Sequence, residues 1–328
     1  MATYKGIQGY TVQKLASDPT ASEAVGQLWY NSASGAFKIS TEATGSWTAT
    51  PAINTARRYQ CGAGSSTAGL IYNGGPNSPA GVSLLVESWN GSAWTETNNT
   101  SNANNVRGRA GTATTAMGVA GSPPSTNATE LYNGSSWTEV ADVNAPRYGA
   151  AGFGTSTAAI FVAGDAPSPL PLLSETWNGS AWTEGNNPNT GRYGCAGCGI
   201  TTAGLFFGGS PPTPSLGVLV ESYNGTSWTE VNDLNVGRYG INGSGTQTAG
   251  MAITGGTPTV VTSTETFDGT SWTEVGDITT AKRYAGSSTV TGTDSAFLAG
   301  GLNAAGGSMS DTETWESPIY SIKTVTVS

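Results

Sequence analysis

Short apolar runs separated by turn-forming clusters fill this chain, and their order repeats at intervals of 43 to 46 residues. The clearest unit is Glu87-Ser-Trp-Asn-Gly-Ser-Ala-Trp-Thr-Glu96. It returns as Glu130 to Glu139, Glu175 to Glu184, Glu221 to Glu230 and Glu265 to Glu274. The Asn-Gly or Asp-Gly at its centre, as at Asn90-Gly91 and Asp268-Gly269, is a strong two-residue hairpin signal, because both residues tolerate positive φ. Each decapeptide therefore predicts two strands, c and d. Between decapeptides an Arg, usually followed by Tyr, opens a strand of small residues (a), and a turn leads to an apolar strand that ends in glycine (b). Arg58-Tyr59 runs to Gly74-Gly75, Arg147-Tyr148 to Gly164, Arg192-Tyr193 to Gly208-Gly209, Arg238-Tyr239 to Gly255-Gly256 and Arg283-Tyr284 to Gly300-Gly301. In the second repeat the equivalents are Arg109-Ala110 and Gly121. Four strands in such a period make one propeller blade.

The two ends of the array complete each other. The repeats finish on Asp-Thr-Glu313-Thr-Trp315, a strand c with no d behind it, and begin on Gly45-Ser-Trp47-Thr, a strand d with nothing before it. Pairing these pieces removes an exposed sheet edge. The expected fold is all-β, a six-bladed β-propeller whose N-terminal strand closes the last blade, over residues 45–316. Residues 1–44 then form an N-terminal assembly segment with a β-hairpin. Residues 317–328, which alternate as Ile319-Tyr-Ser-Ile-Lys-Thr-Val-Thr-Val, form an extended strand that pairs with that hairpin or with another subunit.

The double glycine, the aromatic residue on strand c and the Trp on strand d resemble kelch repeats, recurring in register from residue 45 to about 316. A second resemblance lies ahead of them. Gly26-Gln-Leu-Trp29-Tyr30-Asn31-Ser-Ala-Ser-Gly35-Ala-Phe37-Lys38 is similar to a hairpin of tailed-bacteriophage virion proteins, tail fibres in particular, which read Gly-x-Leu-Trp-Tyr-Asn-x-x-x-Gly-x-Leu-Lys. Only Phe37 departs from that pattern. The opening Met1-Ala-Thr-Tyr-Lys-Gly-Ile-Gln also resembles leaders of marine-phage structural proteins. The resemblance implies a virion protein of fibre or appendage type, made in the host cytoplasm, with Trp29, Tyr30 and Phe37 in its assembly segment. Other virion proteins are then the partners of that segment.

Composition narrows the chemistry. A net charge of −9 with 13 Lys and Arg argues against nucleic-acid and anionic-membrane partners. No apolar run reaches the length of a membrane helix, and no signal peptide is visible. Histidine is absent. The spacing Cys195-x-x-Cys198 is half a metal site, but zinc needs four ligands and no second such pair exists, so no metal and no cofactor is expected. The six strand-c glutamates (Glu87, Glu130, Glu175, Glu221, Glu265, Glu313) are expected to meet the six repeat arginines (Arg58, Arg109, Arg147, Arg192, Arg238, Arg283) as structural ion pairs. Asp268-Gly-Thr-Ser-Trp272 is one residue short of a sialidase Asp-box, and only Arg57 and Arg107 are spare for an arginine cluster. The chain is read as non-enzymatic.

Function is then expected where the repeats disagree, in the b–c and d–a loops on one face. The candidate d–a residues are Asn98, Asn99, Asn102, Asn104 and Asn105 in one loop and Asn186, Asn187 and Asn189 in another. Asn232 and Asp233 come from a third. The candidate b–c residues are Pro123, Pro124, Pro211 and Leu216. Asn supplies donors and acceptors for sugars or peptide backbones. The propeller is expected to contact a host-surface polysaccharide or protein, and the chain is a candidate homo-oligomer. The competing readings are a capsid decoration protein, a kelch-type interaction adaptor outside any virion, and a carbohydrate-active enzyme.

Overall fold

The computed structural model describes residues 12–43, 45–76, 81–105, 108–165, 172–210, 217–289, 293–317 and 319–325. Its contacts divide it into two units, Ser46–Glu316 and the pair of segments Met1–Gly45 and Ser317–Ser328. Every regular element among the described residues is a β-strand, and the strands form seven four-stranded sheets.

Six sheets belong to the larger unit, which is a β-propeller. Five are antiparallel meanders of four consecutive strands, for example Cys61–Gly64, Gly69–Tyr72, Val86–Trp89 and Trp94–Thr97. The sixth takes Gly286–Ser287, Ser295–Leu302 and Ser308–Glu316 from the end of the repeats and its fourth strand, Ser46–Thr50, from their beginning. That pairing sets Trp315 against Trp47 and Glu316 against Ser46.

The innermost strands are Cys61–Gly64, Gly108–Gly111, Ala151–Gly154, Ala196–Ile200, Asn242–Gly245 and Gly286–Ser287. Each touches the next in that order, and the last touches the first. Their small residues are a steric requirement. A Cβ on Gly62 would lie 2.5 Å from the backbone N of Ser287, and one on Gly152 would lie 2.5 Å from the N of Arg109. Strand b is apolar because both of its faces are covered, and Gly69–Tyr72 and Ala159–Val162 are buried at every position.

The hairpin register places aromatic residues opposite one another, Trp89 against Trp94, Trp177 against Trp182 and Phe267 against Trp272. Their ring centroids lie 5.3, 5.5 and 5.0 Å apart. The strand-d Trp rings also reach the neighbouring sheet, as Trp137 does to Tyr72 at 4.9 Å and Trp272 to Phe207 at 5.3 Å. Packing between sheets accounts for these tryptophans.

The smaller unit is one sheet in the order Gln13–Leu15, Leu28–Asn31, Ala36–Ala43, Ile319–Thr324. The hairpin pairs Tyr30 with Phe37, and the C-terminal strand runs antiparallel to it from Ile319 opposite Ala43 to Thr324 opposite Lys38. Residues 317–328 therefore belong to the unit formed by the N-terminal segment.

Trp47 packs with Met251, Ile278 and Trp315 and donates its Nε1 hydrogen to Thr264 Oγ1 at 3.0 Å. Trp47→Ala should cost about 3–5 kcal/mol in urea unfolding, as for a buried aromatic truncated in a core. A loss under about 1 kcal/mol would mean that the borrowed strand does not hold the last sheet.

Candidate functional site

The strand-c glutamates are occupied by structure. Arg57 Nη2 donates to Glu87 Oε1 at 2.5 Å, Arg147 Nη1 to Glu175 Oε1 at 2.6 Å, Arg192 Nη2 to Glu221 Oε1 at 3.1 Å and Arg238 Nη2 to Glu265 Oε1 at 2.7 Å. Both partners are buried in every case. In the sixth sheet Lys282 takes the arginine's place, bonded to Glu313 at 3.4 Å and also to Asp311. The remaining glutamate oxygen accepts the backbone N–H of Asn54, Asn144, Asn189, Asn235 or Thr279 at 2.7–2.8 Å. Each carboxylate thus anchors the loop that leads into its own sheet. Burial pulls the arginine pKa values down and the glutamates oppose it.

Three of the six expected pairings are corrected. Arg57, not Arg58, meets Glu87, and Lys282, not Arg283, meets Glu313. The node needs the cation four residues ahead of strand a, and in these two repeats that position falls one residue before the Arg-Tyr dipeptide. Arg109 is not paired with Glu130. The register sets it opposite Gly118, the place held by Gly62, Gly152, Gly197, Gly243 and Ser287 in the other sheets. Glu130 instead accepts the N–H groups of Ser101 and Asn102.

Many of the candidate loop residues serve as braces. Asn98, Asn186 and Asn232 donate their amide N–H to the carbonyls of Ser135, Thr226 and Thr270 on the next sheet's c–d hairpin, at 2.6–2.8 Å. Sheet twist brings the end of strand d to that hairpin. Asn189 is held by Glu221, Asn102 reaches Glu139, and Asn187 Oδ1 accepts the N–H of Ser174. Asn104 is buried, and Asn105 bridges to Ser122. Asn99, Asp233, Pro123 and Pro124 are exposed. Pro211 and Leu216 lie outside the described residues.

In the smaller unit Trp29 is buried, and its Nε1 donates to Asp18 Oδ1 at 2.9 Å, as Asn31 Nδ2 does at 2.6 Å. The bonds from Asn31 and Trp29 hold the Asp18 pKa below the usual carboxylate range. Tyr30 and Phe37 are half-buried, with rings 5.2 Å apart. Trp29 therefore organises the unit from inside, while Tyr30 and Phe37 keep part of their surface open.

The axial mouth was missed by sequence reasoning. Backbone bonds run around it from Tyr59 N to Tyr284 O, Tyr284 N to Gly240 O, Gly240 N to Gly194 O and Gly194 N to Gly149 O, at 2.7–2.9 Å. These five residues share a left-handed φ of 54–64°, which glycine adopts readily and tyrosine at a cost. The rings of Tyr59 and Tyr284 lie 4.7 Å apart, inclined at 51°, and the guanidinium of Arg283 lies 4.9 Å from the centre of the Tyr239 ring. Tyr148 donates its hydroxyl to Asp165 at 2.8 Å, and that bond raises its pKa; burial raises that of Tyr284. Below this rim is a cavity of about 70 Å³ that reaches Arg109. The signal in the sequence was one arginine where the other repeats carry glycine or serine.

Cys195 and Cys198 are buried thiols whose pKa values burial pushes up to about 11 and about 12. Both therefore stay protonated at neutral pH, the state in which a thiol is least reactive.

No family model matches the sequence, and no curated protein matches it. The solved structure of YjhT is similar, with a TM-score of 0.66 at 13% identity over 83% of this chain and 99% of that one. At that identity the likeness shows the fold alone, a β-propeller.

Two outcomes follow. Glu221→Gln should lower stability by about 3–5 kcal/mol, because it leaves Arg192 buried without its counter-charge. Urea unfolding of E221Q beside an exposed control such as Glu230→Gln reads the difference. At pH 8 iodoacetamide should leave Cys195 and Cys198 unlabelled in the folded protein and label both in urea, seen as mass increments on their peptides.

Proposed function

We propose that the six sheets of the larger unit are the blades of a closed, six-bladed kelch-like ring, and that the chain is a non-enzymatic virion structural protein of a tailed bacteriophage, of fibre or appendage type. The ring reading is supported by the pairing of Ser308–Glu316 with Ser46–Thr50 and by the contact of the last innermost strand with the first. Such a ring suits a part used outside the cell, because its outer edge strands are short, such as Trp94–Thr97 and Trp182–Glu184, and offer little for aggregation.

The observation that carries the non-enzymatic reading is the commitment of the repeat carboxylates. Glu87, Glu175, Glu221, Glu265 and Glu313 are each bonded to a buried cation and to a loop N–H, which leaves none of them placed as an acid or base. The virion reading is supported by the Trp29-Tyr30-Asn31 hairpin, which sits in a unit of its own; among the described residues its sheet ends on Gln13–Leu15 and Ile319–Thr324, edges to which other virion proteins or a second copy would add a strand. In this reading the propeller's loop face and axial mouth meet a host-surface polysaccharide or protein. A capsid decoration protein would use the same two-part design, with the ring covering the shell.

Purified phage particles should contain the chain by mass spectrometry, and a variant lacking residues 1–40 should fold yet be missing from the particles. A truncated chain that still incorporates, or particles without the protein, would overturn the virion reading. On a glycan array, binding without hydrolysis is expected; release of sugar would overturn the non-enzymatic one.

A further inference from the structure

The cations of the larger unit among the described residues fall into two groups. Arg57, Arg147, Arg192, Arg238 and Lys282 each hold a carboxylate. Arg58, Arg109 and Arg283 have no carboxylate within ion-pair distance among the described residues; Arg109 lines the axial cavity, while Arg58, whose Nη1 donates to Gly306 O at 2.6 Å, and Arg283, bonded to the Tyr239 hydroxyl, flank the tyrosines of its rim. Arg58 lies over the ring of Tyr59, and Arg283 over those of Tyr239 and Tyr284. Tyr59, Tyr284 and Arg109 line the same cavity. The rim also carries one carboxylate, Asp165, bonded to the Tyr148 hydroxyl, so three cations outnumber it and, in a chain of net charge −9, leave this opening locally positive.

Arg109 is the innermost of the three. It starts on the second sheet and crosses the axis, where Nη1 donates to Ser287 O at 3.1 Å and Nη2 donates to Gly243 O at 3.0 Å and Ser287 Oγ at 2.7 Å. All three acceptors are neutral. A guanidinium carries five N–H donors in a planar fork, so donors remain for a ligand and the charge is uncompensated. The other five sheets place Gly or Ser at this position, so no repeat-wide packing need explains the arginine. The cavity above it, about 70 Å³, has room for a few waters or one small anion.

We propose that the axial cavity is a binding site for a small carboxylate anion, seated on the Arg109 guanidinium and steered in past Arg58 and Arg283. This goes beyond the virion reading and does not depend on it. A chain that binds the anion but is missing from particles would sink that reading and leave this one standing.

The test uses the full chain with sodium acetate as the probe and acetamide, its neutral isostere, as the control at matched ionic strength. Acetate should raise Tm by about 2 °C or more over acetamide, by ligand linkage to the folded state. Carbon-13-labelled acetate should show line broadening that nitrate, a planar competing anion, reverses. Arg109→Gly installs the residue of four other sheets, so it should fold, and both signals should vanish. Arg109→Lys keeps the charge without the fork and should at least halve the shift, which also serves if R109G does not fold. Equal shifts with acetate and acetamide, signals that persist in R109G, a shift in R109K more than half that of the wild-type chain, or no broadening with the wild-type chain would each overturn the proposal.

Discussion

The propeller depends on a buried cation–carboxylate node repeated from sheet to sheet. A charge pair removed from water is costly unless its remaining donors and acceptors are filled, and here they are filled by the backbone. Arg57 bonds Glu87, the carbonyl of Asn73 at the end of strand b and the carbonyl of Leu85 just before strand c. Arg238 does the same with Glu265, Thr254 and Ser263. Asn73 and Thr254 have left-handed φ, a conformation that non-glycine residues keep only when their surroundings hold them there. The node is what holds them. One side-chain pair therefore fixes the exit of strand b, the entry of strand c and the loop before strand a, while the stretches between these points can vary in length and composition.

That division explains what could be read from the chain. The c–d hairpins were legible because Asn-Gly and the Trp pattern act locally, and the orphan strand around Trp47 was legible because it lacked a partner in its own neighbourhood. The cations were legible in kind and misplaced by one residue at Arg58 and Arg283. The dipeptide Arg-Tyr suggested a position by adjacency, whereas the node selects by distance from strand a. The Asn-rich loops show a different gap. Composition marks Asn98, Asn186 and Asn232 as hydrogen-bonding surface, but twist turns their amides onto the neighbouring hairpin. Arg109 was the hardest to place, since its meaning appears only when strand a is aligned by sheet register and the other sheets are seen to carry glycine or serine.

The axial mouth and the node use the same residue type in opposite ways. Buried beside a carboxylate, arginine ties backbone together and is chemically silent. Half-buried beside neutral acceptors alone, as at Arg109, it keeps an unmet charge at the axis. Because only one of the six sheets carries it, the cavity is not six-fold symmetric, and anything that enters meets a distinct side.

The paired ends of the sixth sheet have a mechanical consequence. Ser46 and Glu316 stand opposite each other in the sheet, and the two covalent links to the smaller unit leave from these residues. A pull applied through the smaller unit therefore loads two adjacent antiparallel strands at the same end. Neither strand is drawn past the other, so their ladder is spared shear and tension divides between two attachment points. A single-link tether would have peeled the borrowed strand away first; this arrangement makes the strand that completes the last sheet half of a double anchor.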